Sequence, residues 1–176
     1  MKIKDLHVRP FIPEAELQAL VADLAARISA DYAGRQLVVS PILTGAFMFG
    51  ADLVRRLTIP CEISFVRYAS YSGLASTGTV QCQLPLSPDV RGRHLLIVED
   101  VVDSGLTIQR ILADARALEP ASVAVCTLFF KPDAFRGDYR IDYIGRPIGN
   151  EFIVGYGLDY DEQGRNLKEI YVLDQQ

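Results

Sequence analysis

Three carboxylates within five positions, Glu99, Asp100 and Asp103, stand behind the apolar run HLLIV (94–98) and lead into Ser104-Gly105-Leu106-Thr107. A wholly apolar run of that length reads as a strand covered on both faces, and the residues from Leu106 to Leu118 read as a helix, so the acids form a turn between the two. Ligands of open α/β sheets bind at such strand ends. A helix N-terminus leaves backbone N–H groups without intrahelical partners, Gly105 permits close approach, and the Ser104 and Thr107 hydroxyls stand beside them. That is a cradle for a phosphate monoester. Glu99 and Asp100 are poorly placed to touch the phosphate itself but suited to accept hydrogen bonds from a diol or to hold Mg²⁺ through water. The pattern therefore asks for a phosphorylated sugar with free hydroxyls. The plainer account is that the acids merely cap the helix, which suits one Asp better than three. No G-x-x-x-x-G-K-[ST] occurs in the chain, which argues against a Walker-type nucleotide site.

Lys131 is a second marked residue, because it ends the apolar run SVAVCTLFF (122–130), where an unpaired charge is costly to bury. Standing alone, it also fits a lysine whose stem lies along apolar surface with its ammonium in water.

The elements that must position these groups follow from periodicity. Leu17, Leu20, Val21, Leu24 and Ile28 recur at helical spacing between Pro13 and Tyr32, with Gly34 expected as the cap. QLVVSPIL (36–43) is a buried strand, GAFMFGADLVRRL (45–57) a helix laid on a sheet, and CEISFVRYA (61–69) extended. VQCQLPL (80–86) alternates strictly, and the polar segment SYSGLASTG (70–78) before it reads as a surface loop. Shorter extended pieces are expected near Tyr143, at Phe152–Gly155 and at Ile170–Leu173. Strand, turn and helix in alternation give an α/β chain, residues 1–176 being one domain, with a small lid from segments distant in sequence.

The composition agrees with that class. The 176 residues are 49% hydrophobic and 23% charged, as in an ordinary globular domain. Eighteen Lys and Arg against 22 Asp and Glu give a net charge of −4 and a pI near 5.2, which argues against a nonspecific grip on nucleic acid. Cys61, Cys82 and Cys126 are far apart, with no Cys-x-x-Cys pair, and read as reduced thiols. The N-terminal MKIKDLHVRPFIP offers no apolar run of signal-peptide length and no later stretch reaches the length of a membrane span, so a cytoplasmic protein is expected.

VEDVVDSGLT (98–107) resembles the phosphoribosyl pyrophosphate signature of the type I phosphoribosyltransferases, and the resemblance runs along nearly the whole chain. PILTGAFMFGADL (41–53), SYSGLASTG (70–78), FKPD (130–133) and EFIVGYGLDYDEQGRNL (151–167) are similar to the hypoxanthine-guanine branch of that family. The resemblance implies the type I phosphoribosyltransferase fold, a mainly parallel sheet with helices on both faces and a small hood from the terminal segments. It implies Mg²⁺-dependent transfer of a phosphoribosyl group to a 6-oxopurine, with pyrophosphate released, by a protein that assembles as a dimer or tetramer.

Roles come with it. Asp103 would be the general base that takes the proton near purine N7. Thr44, Gly45, Glu99, Asp100, Asp103, Ser104, Gly105, Leu106, Thr107 and Arg165 would contact phosphoribosyl pyrophosphate, with Glu99 and Asp100 on the ribose hydroxyls and a Mg²⁺ ion. Asp159, grouped with the purine-side residues, would serve a second Mg²⁺ site bridged through pyrophosphate. Lys131 would donate to the purine O6, and an ammonium, having no acceptor, disfavours the amino group of adenine. Phe152 would stack on the base, and the backbone of Ile153 would read its N1/N2 edge. Ser70 and Tyr71 would belong to a flap that excludes water. The chain departs from the family at Thr44, where a basic residue often precedes the glycine, which leaves backbone N–H groups and a hydroxyl for pyrophosphate. Leu106 falls at a variable place and should face away. Two other readings compete: a phosphoribosyl pyrophosphate-sensing regulator that binds nucleic acid, disfavoured by the net charge, and a transferase for xanthine or another base.

Overall fold

The computed structural model describes residues 1–70 and 80–174. Its main sheet has the strand order β6-β5-β3-β7-β8-β9, with β4 paired to the start of β3. In chain order these are β3 (Leu37–Leu43), β4 (Cys61–Ile63), β5 (Val66–Ser70), β6 (Val80–Leu84), β7 (His94–Val102), β8 (Ser122–Phe130) and β9 (Tyr143–Pro147). All pairings are parallel except that of β5 with β6.

Both faces of the sheet are covered, which explains why β3, Ser40 apart, and Leu95–Val98 of β7 are apolar. Leu96 and Val98 of β7 pack with Leu17, Leu24 and Ile28 of α1 (Glu14–Asp31) and Phe49 and Leu53 of α2 (Phe47–Arg56). Leu95 and Ile97 turn to the other face, against Ile108, Ile111 and Ala115 of α3 (Leu106–Arg116). Each fully buried Leu or Ile of this kind contributes about 1.5–3 kcal/mol relative to exposure. The helix expected from Pro13 to Tyr32 is therefore present; Pro13 is its N-cap and Tyr32 its C-cap, and Gly34, at φ +72°, makes the turn beyond.

The stretch 61–69 is interrupted rather than continuous. Ser64 stands between β4 and β5, where its carbonyl accepts a 2.6 Å hydrogen bond from the buried Ser40 hydroxyl of β3. The hood is a second, antiparallel sheet of order β1-β2-β11-β10, formed by Lys2–Ile3, Leu6–Ile12, Ile170–Leu173 and Ile153–Val154 in that order. It encloses a small core of Ile3, Val8 and Val154. Among the described residues no helix is long and apolar enough to cross a membrane.

Candidate active site

Strand β7 runs to Val102, four residues past the expected end of the apolar run. Glu99 and Asp100 are thus strand residues, paired alongside β8 through Glu99 opposite Thr127, and not part of a turn. The turn proper is Asp103 to Gly105. Gly105, at φ +80°, is the N-cap of α3, and no side chain caps that helix. The reading in which the carboxylates serve as caps is thereby set aside, and the first N–H groups of α3 point where a ligand would lie. Glu99, Asp103, Ser104, Gly105 and Thr107 line a cleft of about 110 Å³. Leu106 turns outward and is 51% exposed.

The two strand acids face different neighbours. Glu99 lines the cleft, whereas the Asp100 carboxylate lies against the loop between β3 and α2. A Cβ added to Gly45 would sit 2.0 Å from Asp100 Oδ2, so only glycine lets loop and carboxylate approach this closely. Helix α2 starts at Phe47 rather than at Gly45, which leaves Thr44, Gly45 and Ala46 as loop, with Thr44 exposed. Burial raises the pKa of Glu99, and the neighbouring Asp100 charge pushes it well above the ordinary carboxylate range. Burial raises Asp100 as well, opposed by hydrogen bonds from Glu99 and from backbone N–H groups and by the Arg165 charge. Of the pair, Glu99 is pushed further above its ordinary value, because fewer hydrogen bonds and no facing cation oppose its burial.

Lys131 follows the last residue of β8, and its N–H donates to Val102 O at 2.9 Å, which fixes it beside the end of β7. Its side chain is only 12% exposed, and its ammonium lies 3.3 Å from Asp103 Oδ2, whose own side chain is 57% exposed. A sheltered donor and an open acceptor therefore stand side by side above the cradle.

The hood closes the other flank. Phe152 is 39% exposed and meets Tyr160 edge-on at 5.9 Å between ring centroids. Ile153 is buried in β10, opposite Val172 of β11. Arg165 donates to Gly157 O at 2.9 Å and pairs with Asp159 at 2.9 Å and Glu162 at 3.1 Å. Gly157, at φ +103°, lies so close to the Gly45 carbonyl that a Cβ there would stand 2.1 Å away. Arg165, Gly157, Gly45 and Asp100 thus form a chain of contacts from the hood to the end of β7.

A phosphoribosyl transferase domain matches residues 14–161. The chain belongs to that family. This phosphoribosyltransferase is 42% identical over 166 residues to the hypoxanthine-guanine phosphoribosyltransferase of Mycobacterium bovis, covering 90% of this chain and 82% of that one. It is 39% identical over 169 residues to the hypoxanthine phosphoribosyltransferase of Haemophilus influenzae, covering 94% of each. Among solved structures, a hypoxanthine-guanine phosphoribosyltransferase from Bacillus anthracis superposes with a TM-score of 0.89 at 33% identity, covering 97% of this chain and all of the other.

Of the residues singled out in the sequence, the phosphoribosyltransferase fold brings Glu99, Asp103, Ser104, Gly105 and Thr107 to one cleft, sets Lys131 against Asp103 at its rim and ties Gly45, Asp100 and Arg165 to its flank. Asp159 is engaged: one oxygen pairs with Arg165 and the other accepts the Glu162 N–H at 2.8 Å. Ser70 ends β5, and Tyr71 lies outside the described residues. Among the described residues no three His, Cys, Asp or Glu side chains gather to hold a metal ion. A cation at Glu99 and Asp100 must therefore bring oxygens of its own, from phosphate, hydroxyl and water, and a hard ion of the Mg²⁺ type fits such a half-built oxygen set.

Sequence reasoning passed over Tyr160, whose signal was the aromatic spacing with Phe152, and the segment 134–139 behind the cradle, whose Phe135 and Tyr139 touch Gly105.

Proposed function

We propose that this phosphoribosyltransferase moves the 5-phosphoribosyl group of phosphoribosyl pyrophosphate onto hypoxanthine or guanine, with Mg²⁺, as a cytoplasmic purine salvage enzyme that yields IMP or GMP and pyrophosphate. The observation that carries this reading is the Lys131–Asp103 pair, 3.3 Å apart at the mouth of the phosphate cradle. In its N7–H form a 6-oxopurine presents the O6 acceptor and the N7–H donor side by side, and that proton must be shed as N9 bonds to C1. Lys131, a pure donor, matches O6. Asp103, a pure acceptor when ionised, matches the proton at N7.

In this reading the 5-phosphate rests on the Ser104–Thr107 backbone and hydroxyls, and the ribose hydroxyls donate to Glu99 and Asp100. The bond from C1 to the pyrophosphate oxygen breaks, and a bond from purine N9 to C1 forms. The proton leaves N7 for the Asp103 carboxylate, and pyrophosphate departs. Mg²⁺, when bound, supplies neutralisation of charge on the pyrophosphate. Glu99 and Asp100 would hold it together with the ribose hydroxyls, and Asp159 would hold a second ion only by exchanging its bond to Arg165. The Thr44 hydroxyl and the backbone of the Gly45 loop, with Arg165, serve the pyrophosphate. Phe152 stacks on the base, and the Ile153 backbone reads its far edge.

The test supplies Mg²⁺ and phosphoribosyl pyrophosphate with hypoxanthine, guanine, xanthine, adenine or uracil, one at a time, and measures nucleotide and pyrophosphate. Turnover is expected with hypoxanthine or guanine and not with adenine or uracil. Absence of turnover with both hypoxanthine and guanine would overturn the reading.

A further inference from the structure

The segment that follows Lys131 is not used by the chemistry above, yet it lies in contact with the phosphate cradle. Arg136 N–H donates to Ser104 O at 3.0 Å, and Tyr139 OH donates to Gly105 O at 3.0 Å. Phe135 Cε2 and Tyr139 Oη would stand 2.6 and 2.7 Å from a Cβ at Gly105, so backbone and aromatic groups are in direct contact. Phe130, Phe135 and Tyr139 stack edge to face in series, each pair 5.3 Å apart, which joins the segment to the end of β8. The segment also braces itself, because the Arg136 guanidinium donates to Asp133 O at 2.9 Å and to Phe135 O at 2.8 Å.

The direction of these bonds matters. The Ser104 carbonyl is held from behind by the Arg136 N–H of the strap, and the Gly105 carbonyl, which accepts the Gln109 N–H of α3 at 3.0 Å, takes the Tyr139 hydroxyl as a second donor. Fixing a carbonyl fixes its peptide plane, and hence the direction of the next residue's N–H, because the peptide unit is planar. The N–H groups of Gly105 and Leu106 are therefore aimed forward, into the cleft. A phosphate binds best where its donors are oriented before it arrives, since no ordering is then charged against binding. Moreover, the outer side of Tyr139 lines an open cleft of about 380 Å³ with Leu112, Val125 and Arg140. The ring is held onto the loop by its hydroxyl and by Phe135, not wedged there from outside.

We propose that residues 131–139 act as a strap that pre-aims the phosphate cradle, and that Tyr139 is its positioning residue for the 5-phosphate. The proposal rests on the reading of the cradle as a phosphate site. It makes Lys131 and Tyr139 two ends of one device, the first at the base and the second behind the sugar phosphate.

The experiment measures binding of ribose 5-phosphate by calorimetry and steady-state KM values for Tyr139→Phe, Tyr139→Leu and Tyr143→Phe. Tyr143 serves as the control because its hydroxyl donates to Asp31 at 2.7 Å, at the far end of the sheet. Loss of one neutral hydrogen bond in Tyr139→Phe should weaken ribose 5-phosphate about fivefold. KM for phosphoribosyl pyrophosphate should rise in step while KM for hypoxanthine stays put. Tyr139→Leu, which removes the ring as well, should weaken ribose 5-phosphate further, and Tyr143→Phe should leave it unchanged. Unaltered affinity in Tyr139→Phe, or equal losses in Tyr139→Phe and Tyr143→Phe, would overturn the strap. Failure of the parent protein itself to bind ribose 5-phosphate and phosphoribosyl pyrophosphate would instead overturn the functional reading.

Discussion

Where β7 and β8 begin, His94 Nδ1 lies 2.7 Å from Ser122 Oγ, Tyr143 OH donates to Asp31, and Asp142 accepts the Val125 N–H at 2.9 Å. Where the same strands end, two acids stand next to each other with raised pKa values, Lys131 is sheltered against an exposed Asp103, and a helix starts without a side-chain cap. The parallel sheet is identical in kind at both ends, so the contrast lies in what the side chains are for. At the first end these polar groups face complementary partners and contribute to folding. At the second, two adjacent acids and uncapped N–H groups are held in place by the core beneath them. Such local conflict is expected where a site is arranged for a ligand and not for the free protein.

The comparison breaks most visibly at Asp103. Asp103→Asn keeps size and hydrogen bonding but removes the base, and kcat should fall by about 10²–10⁴. Binding of phosphoribosyl pyrophosphate, followed by calorimetry, should change little; an unchanged kcat would show that the proton goes elsewhere. Next in size is Lys131→Ala, which takes a charged donor from the purine and should lower kcat/KM for hypoxanthine by roughly 10–100-fold. Because the salt-bridge partner of its ammonium among the described residues is the exposed Asp103, the melting temperature should scarcely move. Equal losses of affinity for purine and phosphoribosyl pyrophosphate would place Lys131 outside the base subsite.

The same contrast explains what the sequence disclosed. Apolar periodicity gave α1, α2, α3 and strands β3 and β8 close to their observed bounds, because those elements are the core. It ended β7 at Val98, since the next residues are acids, although Val101 and Val102 continue the ladder opposite Phe129 and Phe130. Backbone pairing, not burial of the side chain, decides that extension. The N-terminal hairpin was hidden by Lys2, Lys4, Asp5, His7 and Arg9, which alternate with the buried Ile3, Val8 and Ile12 over a span too short and bulged to show a clean period. The acids and the cradle of the site were legible as a group, because they all fall within the run from Glu99 to Thr107. The contacts of Lys131 with Asp103, Gly157 with the Gly45 carbonyl and Tyr139 with Gly105 join residues far apart in the chain, and no local pattern encodes them.

The sharpest test of the comparison has the smallest effect. Glu99 keeps its proton more readily folded than unfolded, so over the pH range above the ordinary carboxylate pKa the native state binds more protons than the unfolded one. Stability therefore falls as pH rises through that range, and the penalty vanishes at acid pH, where both states are protonated. Glu99→Gln is nearly isosteric and carries no charge. In a metal-free buffer it should raise the melting temperature at pH 8 by about 3 °C, the shift that about 1 kcal/mol produces in a chain of this size. The advantage should shrink toward pH 4, while binding of phosphoribosyl pyrophosphate with Mg²⁺ weakens. Tyr143→Phe, at the opposite end, should lower the melting temperature by a similar amount and leave turnover intact, since it removes a satisfied bond that serves only the fold. If Glu99→Gln melts below the parent at pH 8, the acid pair is not a source of conflict in the free protein. The two ends of the sheet would then differ in shape alone.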